Sequence, residues 1–276
     1  MLVQRVVTAV ILLSLLALSL SVLAPLGFIV LTLLFLAAGI SEWLVLVGQP
    51  RVRAWALASI VALLTAWLDQ AIAGHPDWLL GILSTGTAIW ALLAAALVLG
   101  GRFPPVARAR GAFVVSGLVL PPICALALLA SYRDGLTFMV SILVLVWVAD
   151  IGAYFVGRAV GRHKLAPLIS PGKTIEGALG GLISVWLVAW GASAWPAMRE
   201  TFFARLLRAW PIGLGLAALA ALVALSITGD LLESHLKRQA GVKDSSRLLP
   251  GHGGVLDRID AALPVVPAAL LLTRLW

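Results

Sequence analysis

The chain has 276 residues, of which 62% are hydrophobic and 12% are charged, with a mean hydropathy of +1.07. A soluble globular domain has about 45–50% apolar and about 25% charged residues, so this composition excludes that class and indicates an integral membrane protein. The net charge of +8 does not indicate nucleic-acid binding, because the basic residues lie in short loops between apolar runs, where they set membrane orientation. Cys124 is the only cysteine, which excludes an intrachain disulfide, and its apolar surroundings predict a buried side chain.

Eight apolar runs are long enough to cross a membrane as helices, which takes about 20 residues. The first is longer than the apolar core of a signal peptide, about 7–15 residues, so we expect a retained helix there. Glu42 predicts a break in the second run. With a ninth, shorter run, the pattern predicts an all-α integral membrane protein, a polytopic bundle of about nine transmembrane helices with cytoplasmic active-site loops. The runs lie near 6–23, 26–47, 54–73, 78–99, 111–131, 136–157, 174–195, 211–229 and 261–275.

The positions of Lys and Arg predict the orientation of this bundle. With a cytoplasmic N-terminus and nine helices, 15 of the 20 basic residues fall on the cytoplasmic side and five on the other. The three arginines of segment 199–208 fit this layout least well, and that segment could instead be an amphipathic interfacial one. The two loops richest in charge, 158–173 and 230–260, fall on the cytoplasmic side. We therefore predict N-terminal transmembrane helices over 1–135 and a catalytic region with both loops over 136–276.

The stretch "VADIGAYFVGRAVGRHKLAPLISPGKTIEG", 148–177, places Asp150 at the end of an apolar run and then several basic residues. Its Gly-Lys-Thr triplet suggests a phosphate loop, but that motif needs glycine where Pro167 stands, and we expect no strand before it. We therefore exclude a nucleotide-binding P-loop. A helix beginning at Thr174 still offers backbone N–H groups and Lys173 to an anion, the alternative being a loop that only fixes orientation. The pairs Gly157/Gly161 and Gly177/Gly181 have the spacing of helix-packing contacts.

The stretch "TGDLLESHLKRQAG", 228–241, forms a polar stripe if it is helical, with Asp230, Ser234 and Lys237 on one face. Asp230 follows a long apolar run at or below the membrane surface, where an ionisable residue is costly and is a functional candidate. The alternative is a solvated helix end.

The stretch "LPGHGGVLDRID", 249–260, surrounds His252 with glycines whose backbone can approach a ligand closely. If Asp257 approached Asp230 to about 4 Å, their repulsion would cost about 4 kcal/mol at an effective dielectric near 20, and a bound cation would remove that cost. Hard oxygen ligands beside many basic residues suggest Mg²⁺ shared with a phosphate-bearing substrate. Alternatively, each aspartate pairs with a lysine or arginine. No nucleophile is evident, which favours phosphoryl or nucleotidyl transfer by positioning and charge neutralisation.

The run "SHLKRQAGVKDSSRLLPGHGGVLDRID", 234–260, resembles the pattern of the phosphatidate cytidylyltransferase (CDP-diacylglycerol synthase) family. The stretch from Ala149 to Gly177 is similar to that family's preceding cytoplasmic segment, so the resemblance covers roughly the C-terminal half in motif terms. One departure is Ala261, where the family pattern leads us to expect a small hydroxyl residue.

The resemblance implies transfer of the cytidylyl group of CTP to phosphatidate, giving CDP-diacylglycerol and pyrophosphate at the cytoplasmic face of a bacterial inner membrane. It also implies Mg²⁺, allows a second cation such as K⁺, and implies a homodimer in contact with membrane lipid. Asp230 and Asp257 would be the metal carboxylates, Lys237 would act on phosphates and His252 would orient the substrate. The residues expected to contact substrate are Asp150, Lys173, Ser234, Arg238, Lys243, Asp244, Arg258 and Asp260. A CTP-dependent polyprenol kinase-like phosphotransferase and an ion-coupled transporter remain alternatives.

Overall fold

The computed structural model describes residues 2–21 and 23–275, and almost all of the regular structure there is helical. Its only strands, within those ranges, are β1 (Lys164–Ala166) and β2 (Ser170–Thr174), which pair as an antiparallel hairpin. The helices are α1 (Leu2–Ser21), α2 (Leu26–Leu46), α3 (Arg51–Ile72), α4 (Pro76–Gly100), α5 (Val106–Arg133), α6 (Leu136–Val160), α7 (Ile175–Ala194), α8 (Phe202–Ala209), α9 (Ile212–Gln239), α10 (Leu256–Ile259) and α11 (Ala262–Thr273).

The all-α membrane fold is confirmed, and each of the eight long apolar runs coincides with a helix. In the described part of the chain, seven helices, α2 to α7 and α9, are long and apolar enough to cross a membrane. The ninth run forms α11, whose 12 residues fall short of the about 20 that a span needs. The predicted number of about nine spans is therefore not confirmed.

The contacts within the chain divide it into two compact units, each built from three segments. Unit 1 comprises Met1–Pro76, Pro104–Leu129 and Leu236–Ile259, and in it α1, α3 and α10 each pack against α2. Unit 2 comprises Asp77–Phe103, Ala130–His235 and Asp260–Trp276, and in it α6 packs along α7, with α8 and α11 beside α6. The helix α9 continues from one unit into the other, so Asp230 belongs to unit 2 and Lys237 to unit 1.

Two local expectations were wrong. The second apolar run is not broken at Glu42, because α2 continues through this residue to Leu46 and the side chain is buried. A strand does precede the Gly-Lys-Thr triplet, since β1 lies before it, and the triplet itself forms the end of β2 next to α7. The alternative for segment 199–208 agrees with α8, a short helix that buries Phe202, Phe203 and Leu206 while its arginines stay less buried.

The glycine pairs of α6 and α7 act in packing, as their spacing predicts. A Cβ atom added at Gly177 would lie 2.8 Å from the carbonyl oxygen of Ala153, and one at Gly181 would lie 2.5 Å from that of Ala149. Such distances are too short for a side chain, so glycine lets the two helix backbones approach closely. This close packing brings the polar end of α6 next to the hairpin and the start of α7.

Candidate active site

Unit 2 encloses a cavity of about 550 Å³ formed by α6, the hairpin, α7 and α9. Within it Lys173 Nζ lies 2.6 Å from Asp230 Oδ2, and both side chains are partly exposed. Ser234 Oγ donates to the other oxygen of Asp230 at 3.2 Å. The predicted residue Asp150 lines the same cavity. Gly157, Gly177 and Gly181 also belong to the lining, where the backbones of α6 and α7 pack closely.

The hairpin that carries Lys173 is fixed to α7 by two sets of hydrogen bonds. Thr174 caps the helix, because its Oγ1 accepts from the backbone N–H of Gly177 at 3.1 Å. Glu176 accepts from the backbone N–H of Arg162 at 3.1 Å and contacts His163 Nδ1 at 2.5 Å. These contacts fix the end of β2, and with it the position of Lys173 in the cavity.

In unit 1, Asp257 is the centre of a compact hydrogen-bonded group. Its Oδ1 lies 2.6 Å from Lys237 Nζ, and the two side chains are only 8% and 15% exposed. Its Oδ2 accepts from the backbone N–H and the hydroxyl of Ser245 at 2.9 and 2.8 Å and from the backbone N–H of Gly254 at 2.8 Å. Gly253 has φ of +83°, a conformation that L side chains rarely adopt, so the Gly-Gly pair permits this tight turn.

Glu42 holds the same loop from the side of α2. Its carboxylate accepts from the hydroxyl of Ser246 at 2.6 Å and lies 3.0 Å from the hydroxyl oxygen of Ser245, whose single proton it shares with Asp257. It also accepts from the backbone N–H groups of Val255 and Leu256 at 3.1 and 2.7 Å. A buried carboxylate is tolerated when it is hydrogen-bonded in this way, and three unshared donors together with the shared Ser245 hydroxyl offset the cost of burying this charge. Glu42 thus joins the beginning and the end of the segment 245–256.

Unit 1 also has a cavity of about 1000 Å³, lined by the end of α2, the start of α3 and the segment 240–248. Two predicted residues, Lys243 and Asp244, face it. His252 lies beyond this lining, and its backbone carbonyl accepts from Arg258 Nε and Nη2 at 3.0 and 2.6 Å. Arg258 is thus engaged by the loop backbone.

The model of the Cytidylyltransferase family matches residues 3–276, which is nearly the whole chain. The chain belongs to the Cytidylyltransferase family. It is 38% identical to a phosphatidate cytidylyltransferase of Pseudomonas aeruginosa over 296 aligned positions, which cover 100% of this chain and 99% of that protein. Proteins of the same name from Haemophilus influenzae and Staphylococcus haemolyticus are 47% and 45% identical over 138 and 141 residues. Those two alignments cover 48% and 50% of this chain and 44% and 49% of the relatives.

The two carboxylates predicted to hold a metal, those of Asp230 and Asp257, differ in how far protein donors already surround their oxygen atoms. Asp257 is only 8% exposed, its Oδ2 is surrounded by Ser245 and the backbone N–H of Gly254, and its Oδ1 is paired with Lys237. Asp230 accepts one donor on each oxygen and faces a cavity beside Asp150, which leaves lone pairs for a hard cation. No group of three or more His, Cys, Asp or Glu suited to a metal occurs in the part of the chain described, so an ion at Asp230 would take its remaining ligands from substrate or water.

The structure brings the predicted residues together in two groups. Asp150, Lys173, Asp230 and Ser234 meet in unit 2, whereas Lys237 and Asp257 meet in unit 1. Each of the two aspartates has a lysine partner, which is the alternative that the sequence left open. Arg238 is exposed at the end of α9, and Asp260 Oδ1 accepts from the backbone N–H of Ala261 at 2.8 Å.

The sequence predicted only a helix break at Glu42 and gave this residue no functional role. Glu42 proves to be part of the loop's support. The signal that marks it is an ionisable residue inside a membrane-spanning run, which is costly unless it is compensated. Asp69 is fully buried in α3, and His75 is exposed.

Proposed function

We propose that this chain is a phosphatidate cytidylyltransferase, which transfers the cytidylyl group of CTP to phosphatidate and releases pyrophosphate. The observation that carries this conclusion is the full-length similarity to a protein of that name, at 38% identity. The two lysine–aspartate pairs and the cavity beside Lys173 supply what such a reaction needs from a protein, which is positioning of phosphates and neutralisation of their charge.

The reaction is a direct displacement. A phosphate oxygen of phosphatidate forms a bond to the α-phosphorus of CTP, and the bond from that phosphorus to the oxygen bridging to the β-phosphate breaks. The electron pair leaves with pyrophosphate, and no covalent enzyme intermediate is required. His252 then needs no role as a base, since phosphatidate is already anionic near neutral pH.

We assign the phosphate of phosphatidate to Lys173 in the unit 2 cavity. The helices α6, α7 and α9 that form this cavity are membrane spans by length and composition, which suits a substrate whose acyl chains lie in the bilayer. An ammonium has three donors, and Asp230 accepts only one of them, so Lys173 can also donate to a phosphate oxygen. Asp230 keeps the ammonium in place and lowers the cost of holding it in the cavity.

Asp230 is also where we place Mg²⁺, with Asp150 as the neighbouring carboxylate. When bound there, the ion would neutralise charge on phosphate oxygens. A second cation such as K⁺ and a homodimer rest on the family resemblance alone.

We further propose that the enzyme lies in the bacterial inner membrane with its N-terminus and both loops in the cytoplasm, as the distribution of basic residues predicts. Val242 is 41% exposed in the 230–260 loop, and Cys124, the only native cysteine, is buried. A Val242→Cys variant should therefore react with a membrane-impermeant maleimide in inside-out vesicles. Labelling only in right-side-out vesicles would contradict this orientation.

The function is tested by incubating the purified protein with CTP, phosphatidate and Mg²⁺ and identifying the lipid product by mass spectrometry. We expect CDP-diacylglycerol, and we expect chelation of the metal by EDTA to abolish its formation. If polyprenol is phosphorylated and phosphatidate is left unchanged, the protein is a lipid kinase instead.

A further inference from the structure

The segment 195–211, between α7 and α9, carries three arginines whose position the orientation rule does not explain. The helix α7 is long and apolar enough to cross the membrane, so this segment lies on the opposite side from the hairpin that precedes α7. Basic residues are enriched on the cytoplasmic side, where we place the hairpin. Arg199, Arg205 and Arg208 therefore have another reason for standing on the far side.

Exposed tryptophans place this segment at the membrane surface. Trp190, near the end of α7, and Trp195, just after it, are 64% and 63% exposed. Leu187 on α7 and Leu214 on α9 are exposed as well, as side chains that face lipid are. Tryptophan is enriched at the level of the lipid headgroups, so the segment lies at that level.

The helix α8 within this segment is fastened to the protein by its apolar face. Phe202, Phe203 and Leu206 are almost fully buried. The backbone N–H of Phe202 donates to Ser141 Oγ on α6 at 2.7 Å. This apolar face is therefore not available for insertion into lipid, and α8 instead holds the arginines of its polar face in a fixed position.

Arg205 is neutralised within the protein. Its Nη2 lies 2.7 Å from Glu200 Oε2, and its guanidinium carbon lies 4.8 Å from the centroid of the Phe138 ring. Because Glu200 is the only acidic residue of the segment, Arg199 and Arg208 keep their charge.

Arg208 is held by neutral groups and stands beside Arg199. Its Nε donates to the backbone carbonyl of Ala204 at 3.0 Å, and its Nη2 donates to the backbone carbonyl of Arg199. Both arginines are exposed, and neither forms an ion pair with the residues that the structure describes. Two neighbouring cations at headgroup level favour an anionic group between them.

We propose that Arg199 and Arg208 bind the headgroup of an anionic phospholipid in the leaflet opposite the active site. A guanidinium that is already fixed by the backbone matches the oxygens of a phosphate with its remaining N–H donors. Trp195 and Met198, which is 42% exposed, add apolar surface beside Arg199, and a lipid can use this surface whereas a free phosphate ion cannot. The site contains none of the residues assigned to the reaction, so it stands or falls independently of the proposed function.

The test uses the full-length protein in nanodiscs of phosphatidylcholine with increasing fractions of phosphatidylglycerol. A ligand that binds the folded protein raises the midpoint of thermal unfolding, so the midpoint should rise with phosphatidylglycerol and then level off. Arg199→Gln should need about tenfold more phosphatidylglycerol for the same rise, because one charge-assisted contact is lost. This variant keeps the backbone carbonyl that holds Arg208. Arg208→Lys should show a similar loss, since lysine keeps the charge but not the planar fork.

Two control variants separate this site from other effects of anionic lipid. Arg274 lies at the end of α11 and pairs with Asp134, just before α6, on the same side of the membrane as the segment. Arg274→Gln should keep the wild-type dependence on phosphatidylglycerol. Lys173→Met, which removes the lysine of the unit 2 cavity, should also keep it. Inorganic phosphate added to pure phosphatidylcholine nanodiscs should not raise the midpoint.

Three results would overturn the inference. One is a wild-type dependence on phosphatidylglycerol in folded Arg199→Gln protein, which tests the site even where Arg208→Lys does not fold. The second is a loss of that dependence in Lys173→Met, which would place the lipid in the cavity beside Lys173. The third is an equal rise with inorganic phosphate, which would assign the arginines to a soluble anion. Failure to form CDP-diacylglycerol would contradict only the proposed function.

Discussion

Replacing Glu42 with glutamine should weaken the loop that carries Asp257. In either orientation, the amide places its oxygen where one serine hydroxyl and one backbone N–H lie, and its NH₂ group where the other serine hydroxyl and the other backbone N–H lie. The serine hydroxyl that faces the NH₂ group can rotate and accept, but the backbone N–H of Val255 or Leu256 cannot. One buried N–H is then unsatisfied, at about 1–3 kcal/mol, and the remaining hydrogen bonds lose the contribution of the charge, at about 1 kcal/mol.

The expected loss for Glu42→Gln is therefore about 3 kcal/mol in the free energy of unfolding. For a chain of this size that corresponds to a fall of roughly 6–12 °C in the apparent midpoint of thermal unfolding in detergent. Cytidylyltransferase activity at room temperature should fall as well, because the segment 245–256 positions Asp257. Glu200→Gln is the control, since Glu200 forms an exposed ion pair with Arg205 that is worth at most about 1 kcal/mol. A Glu42→Gln midpoint within about 2 °C of the wild type would refute the reasoning.

Three further predictions concern Lys173, Asp257 and the packing of α6 against α7. Lys173→Met should lower kcat/KM for phosphatidate about 100-fold in steady-state kinetics, because it removes a charge-assisted phosphate contact and leaves Asp230 without its lysine. Lys164→Met is the control, since Lys164 is exposed on the same hairpin, and it should leave kcat/KM unchanged. Asp257→Asn should lose most turnover in the same assay while the protein still inserts into the membrane, because an amide cannot balance the charge of its lysine partner. Gly181→Ala should destabilise the fold by about 1–3 kcal/mol in thermal unfolding, because the new methyl group meets the α6 backbone.

Each of these predictions has a result that contradicts it. Equal losses in the two lysine variants would show that the hairpin needs positive charge in general. Wild-type turnover in Asp257→Asn would remove that residue from the reaction. For the packing prediction, Gly191→Ala is the control on α7, since a methyl group there meets nothing within 4 Å, and equal stability of the two glycine variants would mean that the close approach is not needed.

Most of the helices could be predicted from the sequence because each apolar run of about 20 residues specifies its own helix, whatever it packs against. Glu42 shows where that logic fails. The donors that allow a carboxylate inside α2 come from residues 203 to 214 positions later, and a local pattern does not reveal them. The hairpin was not predicted, because its local sequence gives little sign of a strand. Its strands have three and five residues, and the second contains Ser-Pro-Gly, which has low strand propensity.

The candidate site was predicted in its residues but not in its pairings. Asp230 and Lys173 were both identified from their own motifs, yet the sequence does not show that they meet at 2.6 Å. Asp257 pairs with Lys237, one of the two arrangements that the sequence left open. The predicted domain boundary at residue 135 stays a prediction of the sequence.

The position of a label in CTP tests the central claim most directly. The purified enzyme is supplied with phosphatidate, Mg²⁺ and CTP labelled at either the α- or the γ-phosphorus, and the lipid and aqueous products are separated. Cytidylyl transfer predicts that the α label enters the lipid as CDP-diacylglycerol while the γ label leaves as pyrophosphate, in equal amounts. Transfer of the γ label to lipid, or no label in lipid from either form of CTP, would contradict it.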